Sequence, residues 1–142
     1  VTEPSEDKVE AYLAAVAGLV PATAQQVGAA LGKLSNELER LTVLLTSADL
    51  EATEAIEAYQ MAYDKAFLMS GAKSGKPPTE AVRHAEARMA TYELRMKAEV
   101  AKANVRDLKM RHKTLDRRID VGRTQAATVR SEHRTFSYGN GA

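Results

Sequence analysis

The chain contains no cysteine and no tryptophan, and its aromatic side chains are two phenylalanines and five tyrosines. Without cysteine there is no disulfide, no thiolate ligand for zinc and no thiol nucleophile. With so few aromatics, and with alanine supplying much of the apolar content, a thick globular core is not expected. Thin cores between paired helices need only small and medium side chains. Long apolar runs are also lacking: Ala11–Val20 is interrupted by Tyr12 and Gly18, and nothing approaches the roughly 20 residues of a membrane span. The N-terminal VTEPSEDKVE is acidic, where a secretion signal would be basic. The expectation is a soluble protein of the cytoplasm of a bacterial host cell, with no membrane partner. Val1 in first position reads as a GTG start codon translated literally, which points to a bacterial or phage gene.

What is present suits long helices. The 142 residues fit one domain. Charged residues make up 27%, and alanine, glutamate, lysine, leucine and arginine dominate, the usage of long or coiled helices. Charge is unevenly placed. Residues 1–78 carry 6 Lys/Arg against 11 Asp/Glu, a balance of −5, and residues 79–142 carry 14 against 8, a balance of +6. Such asymmetry suggests a polyanionic partner, or an acidic arm lying against a basic one.

Local signals divide the chain. Residues 1–33 are expected to form short N-terminal helices. One starts at Ser5 with Glu6 and Asp7 in its dipole-favoured first turn and ends before Pro21. A second, Ala24–Leu31, is capped by Thr23 and stops near Gly32. Ser35 then caps a helix over 35–69, with Leu34, Leu38, Leu41 and Leu45 as a stripe that continues through Ala48, Ala52 and Ala55. Residues 70–78 form a Gly- and Pro-rich loop. Thr79 caps the last helix, expected to run unbroken to residue 135, and 137–142 should be a disordered tail. The last helix carries apolar or stripe positions at alternating steps of three and four, from Leu94 through Val105, Leu108, Leu115 and Ile119 to Phe136. That is the coiled-coil period. The fold expected is all-α, a long antiparallel helical hairpin (a coiled coil) over 34–136. Helices of such unequal length leave the second overhanging beyond about Lys113, with its stripe intact. Either the short N-terminal helices of the same chain or another subunit should cover that stripe; a homo-oligomer is the favoured expectation, with Leu115, Ile119, Ala126 and Val129 as its self-association surface.

Motifs for chemistry are weak. GAKSGKP (71–77) is one residue too short for a phosphate-binding loop, has Pro77 where Ser or Thr would hold magnesium, and follows no strand. It reads as a polar loop. Thr23–Leu41 has the outline of a helix-turn-helix, with the turn at Gly32, but Glu37 and Glu39 would present acid to DNA. His84, His112 and His133 lack the spacing of a metal or general-base cluster. His112 and His133 fall on the apolar stripe and read as hydrogen-bonded or register-setting. No enzyme activity, catalytic residue, cofactor or metal is expected.

The basic run carries more. Between Lys102 and Arg134 stand ten Lys/Arg against four Asp/Glu, a balance of +6. Phosphates would be held there by charge and counterion release. Arg117, Arg118, Arg123, Arg130 and Arg134 are the expected nucleic-acid contacts. The competing reading is a solvated coiled-coil face paired with Glu51, Glu54 and Glu57 or with a neighbouring subunit. Few aromatics lie nearby to stack on single-stranded bases.

The segment RIDVGRTQAATVRSE (Arg118–Glu132), with the Leu38–Leu45 stripe and AYQMAYDKAFL (Ala58–Leu68), resembles a group of small helical-hairpin proteins of actinobacterial phages and prophages. The resemblance covers residues 34–134. It implies an accessory protein encoded near phage recombination or replication genes, a helper for recombination or single-strand binding, with Arg123, Gln125, Arg130 and Glu132 as the place of any shared function. The turn at Pro77–Thr79 departs from that pattern. The expectations are thus a DNA-binding or DNA-bound-protein-binding accessory, a structural coiled-coil adaptor without nucleic acid, or a helix-turn-helix regulator.

Overall fold

A capping box begins the described part of the chain. In the computed structural model, which describes residues 23–70 and 77–139 (side chains to 135), the Thr23 hydroxyl accepts from the Gln26 N–H at 3.2 Å while Gln26 Oε1 accepts from the Thr23 N–H at 3.0 Å. Two orphan donors are satisfied at once. Three helices follow: α1 (Ala24–Met69), α2 (Glu80–Ala90) and α3 (Tyr92–Gly139). Among the described residues there is no strand, and the protein is all-α. No described helix is long and apolar enough to cross a membrane.

Helix α1 corrects two expectations. It starts at Ala24 rather than Ser35, and it passes through Gly32 without a turn. A glycine inside a helix costs only about 1 kcal/mol. Val27, Ala30, Leu34 and Leu41, at helical spacing on both sides of Gly32, are all buried, and a buried leucine alone contributes roughly 1.5–3 kcal/mol. The helix-turn-helix reading required two helices here, and Thr23–Leu41 supplies one. The short helices expected within 1–22, and the loop residues 71–76, lie outside the described residues. At its other end α1 stops at Met69 as expected, with Ser70 closing the turn through its N–H on Ala66 O and its hydroxyl on Phe67 O.

The last helix is also corrected. Thr79 caps it, accepting from the Val82 N–H, but the helix breaks at Thr91, where φ −112° and ψ 15° leave the α region. No proline or glycine causes this. The buried Thr91 hydroxyl donates to Ala87 O at 2.6 Å, a carbonyl that also accepts from the Thr91 N–H at 3.1 Å. Such back-bonding favours a bend, but Thr42, Thr53, Thr124, Thr128 and Thr135 make it inside unbroken helices; Thr91 differs in being buried. Beyond the break α3 continues through the buried Gly122 to Gly139, so part of the expected tail is helical; no proline interrupts it. With 46 residues in α1 and 48 in α3, the two are nearly equal at about 70 Å each. The first arm is thus longer than the expected 35–69, and the length mismatch behind the expected overhang is smaller, although α2 adds to the returning arm.

The chain divides into two compact units, one of Val43–Lys109 and one of Val1–Thr42 with Met110–Ala142. In the first, Tyr63 and Phe67 of α1 meet His84 of α2, while Asp49–Ile56 of α1 share a groove with Glu99–Arg106 of α3. The order is antiparallel. Ala48, Ala52, Ala87 and Ala98 are buried there, and their small side chains allow close approach of backbones. In the second unit the buried residues include Val27, Ala30, Leu34 and Leu41 from α1 and Leu115 and Ile119 from α3. Thr42 Oγ1 and His112 Nε2 share a hydrogen bond of 3.2 Å, which gives His112 the partner its stripe position asked for.

Candidate nucleic-acid interface

All five arginines singled out by sequence, Arg117, Arg118, Arg123, Arg130 and Arg134, lie on α3 in the second unit, and all are exposed. They do not share one face. At 3.6 residues per turn, Arg123, Arg130 and Arg134 fall within about 40° of one another. Arg117 stands about 120° from Arg123, and Arg118 about 140° from it on the other side. Lys113, one turn before Arg117 and also exposed, extends the Arg117 side. The positive charge is therefore a collar around the helix.

Local partners constrain only part of this charge. Arg123 Nη1 lies 3.7 Å from Asp120 Oδ1, with both side chains more than two-thirds exposed. Arg130 Nε donates to Ala126 O at 3.2 Å, which lays its guanidinium along the helix. Arg117, Arg118 and Arg134 form no ion pair among the described residues. The carboxylates once expected to neutralise a basic face, Glu51, Glu54 and Glu57, are exposed and likewise form none among the described residues. The ion pairs Arg40–Glu37, Lys102–Glu99 and Arg123–Asp120 each join residues three apart on one helix. Exposed pairs of this type contribute under about 1 kcal/mol.

The expected self-association residues sit differently. Leu115 and Ile119 keep only 8% and 2% of their surface exposed within a single chain, so they are part of its core. Ala126 and Val129 are half-buried. An interface through the first two would require the chain to open.

Two features of the Val43–Lys109 unit escaped the sequence. Tyr63 Oη and His84 Nδ1 lie 2.5 Å apart, the His84 ring packs 4.8 Å from that of Phe67, and its Nε2 is 3.7 Å from Glu80 Oε1. The Arg83 guanidinium lies 5.9 Å from the Phe67 ring centre. The cluster ties α2 to the end of α1. Only the Glu80–His84 spacing of four was legible, because Tyr63 arrives from another helix. The second feature is an open groove of about 300 Å³ lined by Asp49, Thr53 and Ile56 on one side and Glu99, Lys102 and Arg106 on the other. In it the hydrogen bond from Lys102 holds the Glu99 carboxyl below its ordinary range, with the positive charges of Lys102, Arg106 and Arg95 adding to the effect and desolvation opposing it. Among the described residues no three His, Asp or Glu side chains converge as metal ligands.

No protein-family model, curated protein or solved structure matches the chain.

Proposed function

We propose that this protein is a non-enzymatic nucleic-acid-binding accessory that grips phosphates through the exposed arginines of α3. The observation that carries the reading is the set of exposed guanidinium groups in the second unit, three of which have no ion-pair partner among the described residues. Guanidinium groups match phosphate oxygens in geometry as well as charge. A helix bearing them, with no aromatic platform described beside them, suits the sugar–phosphate backbone better than unstacked bases. Its place in phage DNA recombination or replication rests on the resemblance of Arg118–Glu132 and Ala58–Leu68 alone.

The test is binding of labelled single- and double-stranded DNA at low and moderate salt, with the wild-type chain and an Arg123→Gln/Arg130→Gln/Arg134→Gln variant. The expected result is binding that weakens steeply with salt, and a triple variant that binds at least about tenfold more weakly while keeping its helicity. A wild-type chain that leaves both DNAs unshifted at low salt overturns the proposal.

A further inference from the structure

The face of α1 turned away from its buried side is not uniformly polar. Val43, Leu50, Met61 and Leu68 are exposed at 70%, 61%, 74% and 77%. Their spacings of seven, eleven and seven residues place all four within about 20° of one line at 3.6 residues per turn. That line lies opposite the buried Ala48 and Ala52 and runs for roughly 38 Å. Glu54 and Glu57, both exposed, fall within about 30° of the same line and fill the gap between Leu50 and Met61. The face is therefore apolar towards both ends and carboxylate in the middle. Across residues 43–68, Asp49, Glu51, Glu54, Glu57 and Asp64 stand against a single base, Lys65. None of the five carboxylates has an ion-pair partner among the described residues.

Charge decides what can cover such a face. The central carboxylates repel nucleic acid and an anionic membrane surface alike. A second copy of α1 matches the spacing, because antiparallel alignment sets Val43 against Leu68 and Leu50 against Met61. The same alignment sets Glu54 against Glu57, twice, and like charges held together at an interface oppose it. The helix α3 of a second copy does not fit either. Its exposed row of Tyr92, Met96 and Val100 is only about 12 Å long, and residues 92–100 set Arg95 and Lys97 against Glu93 and Glu99, a balance of zero. Its basic part, Lys113–Arg134, has the charge without the apolar row: Leu115 and Ile119 are buried, Val129 is half-buried, and of its large hydrophobics Val121 is exposed. An occupant has to bring apolar side chains and positive charge together, along the whole stripe.

We propose that this face of α1 docks a basic amphipathic helix of another protein, about seven turns long. Its apolar side chains pack on Val43, Leu50, Met61 and Leu68, and its arginines or lysines meet Glu54 and Glu57. This is recognition of a helix through periodic apolar anchors, with the charges at the centre selecting the partner. Arginine and lysine suit the central positions because their stems cover apolar surface while their heads reach a carboxylate, and a guanidinium can grip it with two bonds. The apolar spacing reads the same in both directions, so the flanking charge sets the orientation. Asp49 and Glu51 stand beside Leu50, whereas Asp64 and Lys65 offset each other near Leu68. The more basic end of the partner helix therefore lies at the Leu50 end.

The test uses the full-length chain and a synthetic helical peptide that repeats the stripe's spacing in leucine, with arginine at the places of Glu54 and Glu57. A control peptide carries glutamate at those two places. Fluorescence anisotropy should show the arginine peptide binding at least about tenfold more tightly than the glutamate peptide. Leu50→Ser/Met61→Ser should weaken that binding at least about tenfold, since both side chains are exposed in the single chain and lose only the burial made in the contact. Glu54→Gln/Glu57→Gln should weaken it as much and remove the preference for arginine, with helicity unchanged in both variants. A chain that binds neither peptide, or both equally, overturns the proposal. So does a wild-type chain that sediments as a dimer and becomes monomeric in Leu50→Ser/Met61→Ser, which would assign the stripe to a second copy. The Arg123→Gln/Arg130→Gln/Arg134→Gln variant should bind the arginine peptide as the wild type does, so this reading and the DNA-binding one fail separately.

Discussion

Ile119 keeps only 2% of its surface exposed, and it is among the largest fully buried side chains described. A residue buried within one chain and a residue buried between copies respond differently to truncation. Ile119→Ala should cost roughly 2–5 kcal/mol, the transfer of the lost methyl and methylene groups plus the cavity they leave. Urea unfolding measures it, and the loss should be the same at low and high protein concentration. A loss that appears only at high concentration would return Ile119 to the interface that its heptad position suggests. The heptad pattern alone could not separate the two cases. A stripe reports that a face is covered, and the covering partner depends on where the other helix begins, which turned on Thr23 and Gly32 some ninety residues away.

At the scale of the element, Gly28 and Gly32 decide how α1 is understood. A Cβ built on either meets nothing within 4 Å, and both lie inside a continuous helix. Gly28→Ala and Gly32→Ala should therefore each stabilise the protein, by about 0.5–1 kcal/mol, through the lost backbone freedom of the unfolded chain. Thermal unfolding of the single and double variants checks this. Destabilisation by Gly32→Ala would show that the backbone there needs glycine, as a turn between two helices does. The same comparison explains what was legible. The caps at Thr23 and Thr79 and the stop at Met69 are local chemistry, and the sequence carried them plainly. Gly32 was read as punctuation because a lone glycine lowers helix propensity, yet four buried side chains around it outweigh that cost. Thr91 left no mark in the sequence: threonine is an ordinary helix residue, and Thr42, Thr53, Thr124, Thr128 and Thr135 make the same hydroxyl bond inside unbroken helices; what sets Thr91 apart is its burial.

For the molecule as a ligand-binding body, the spread of charge matters more than its sum. Counting along the chain gives one basic run with a balance of +6. Winding that run into a helix distributes Arg117, Arg118 and the Arg123–Arg130–Arg134 group over three sides. A rigid duplex lying against α3 meets one side at a time. If it lies on the three-arginine side, it neutralises about three phosphates, and log K should fall with log salt at a slope of about −2.7. Contact by all five arginines would give about −4.5. The slope should drop by roughly one unit in Arg130→Gln and stay unchanged in Arg118→Gln, which faces another side. Fluorescence anisotropy with a short duplex across a salt series measures all three slopes. A wild-type slope near the larger value, reduced equally by Arg118→Gln and Arg130→Gln, would mean that the nucleic acid wraps the helix, and the one-sided contact would be wrong.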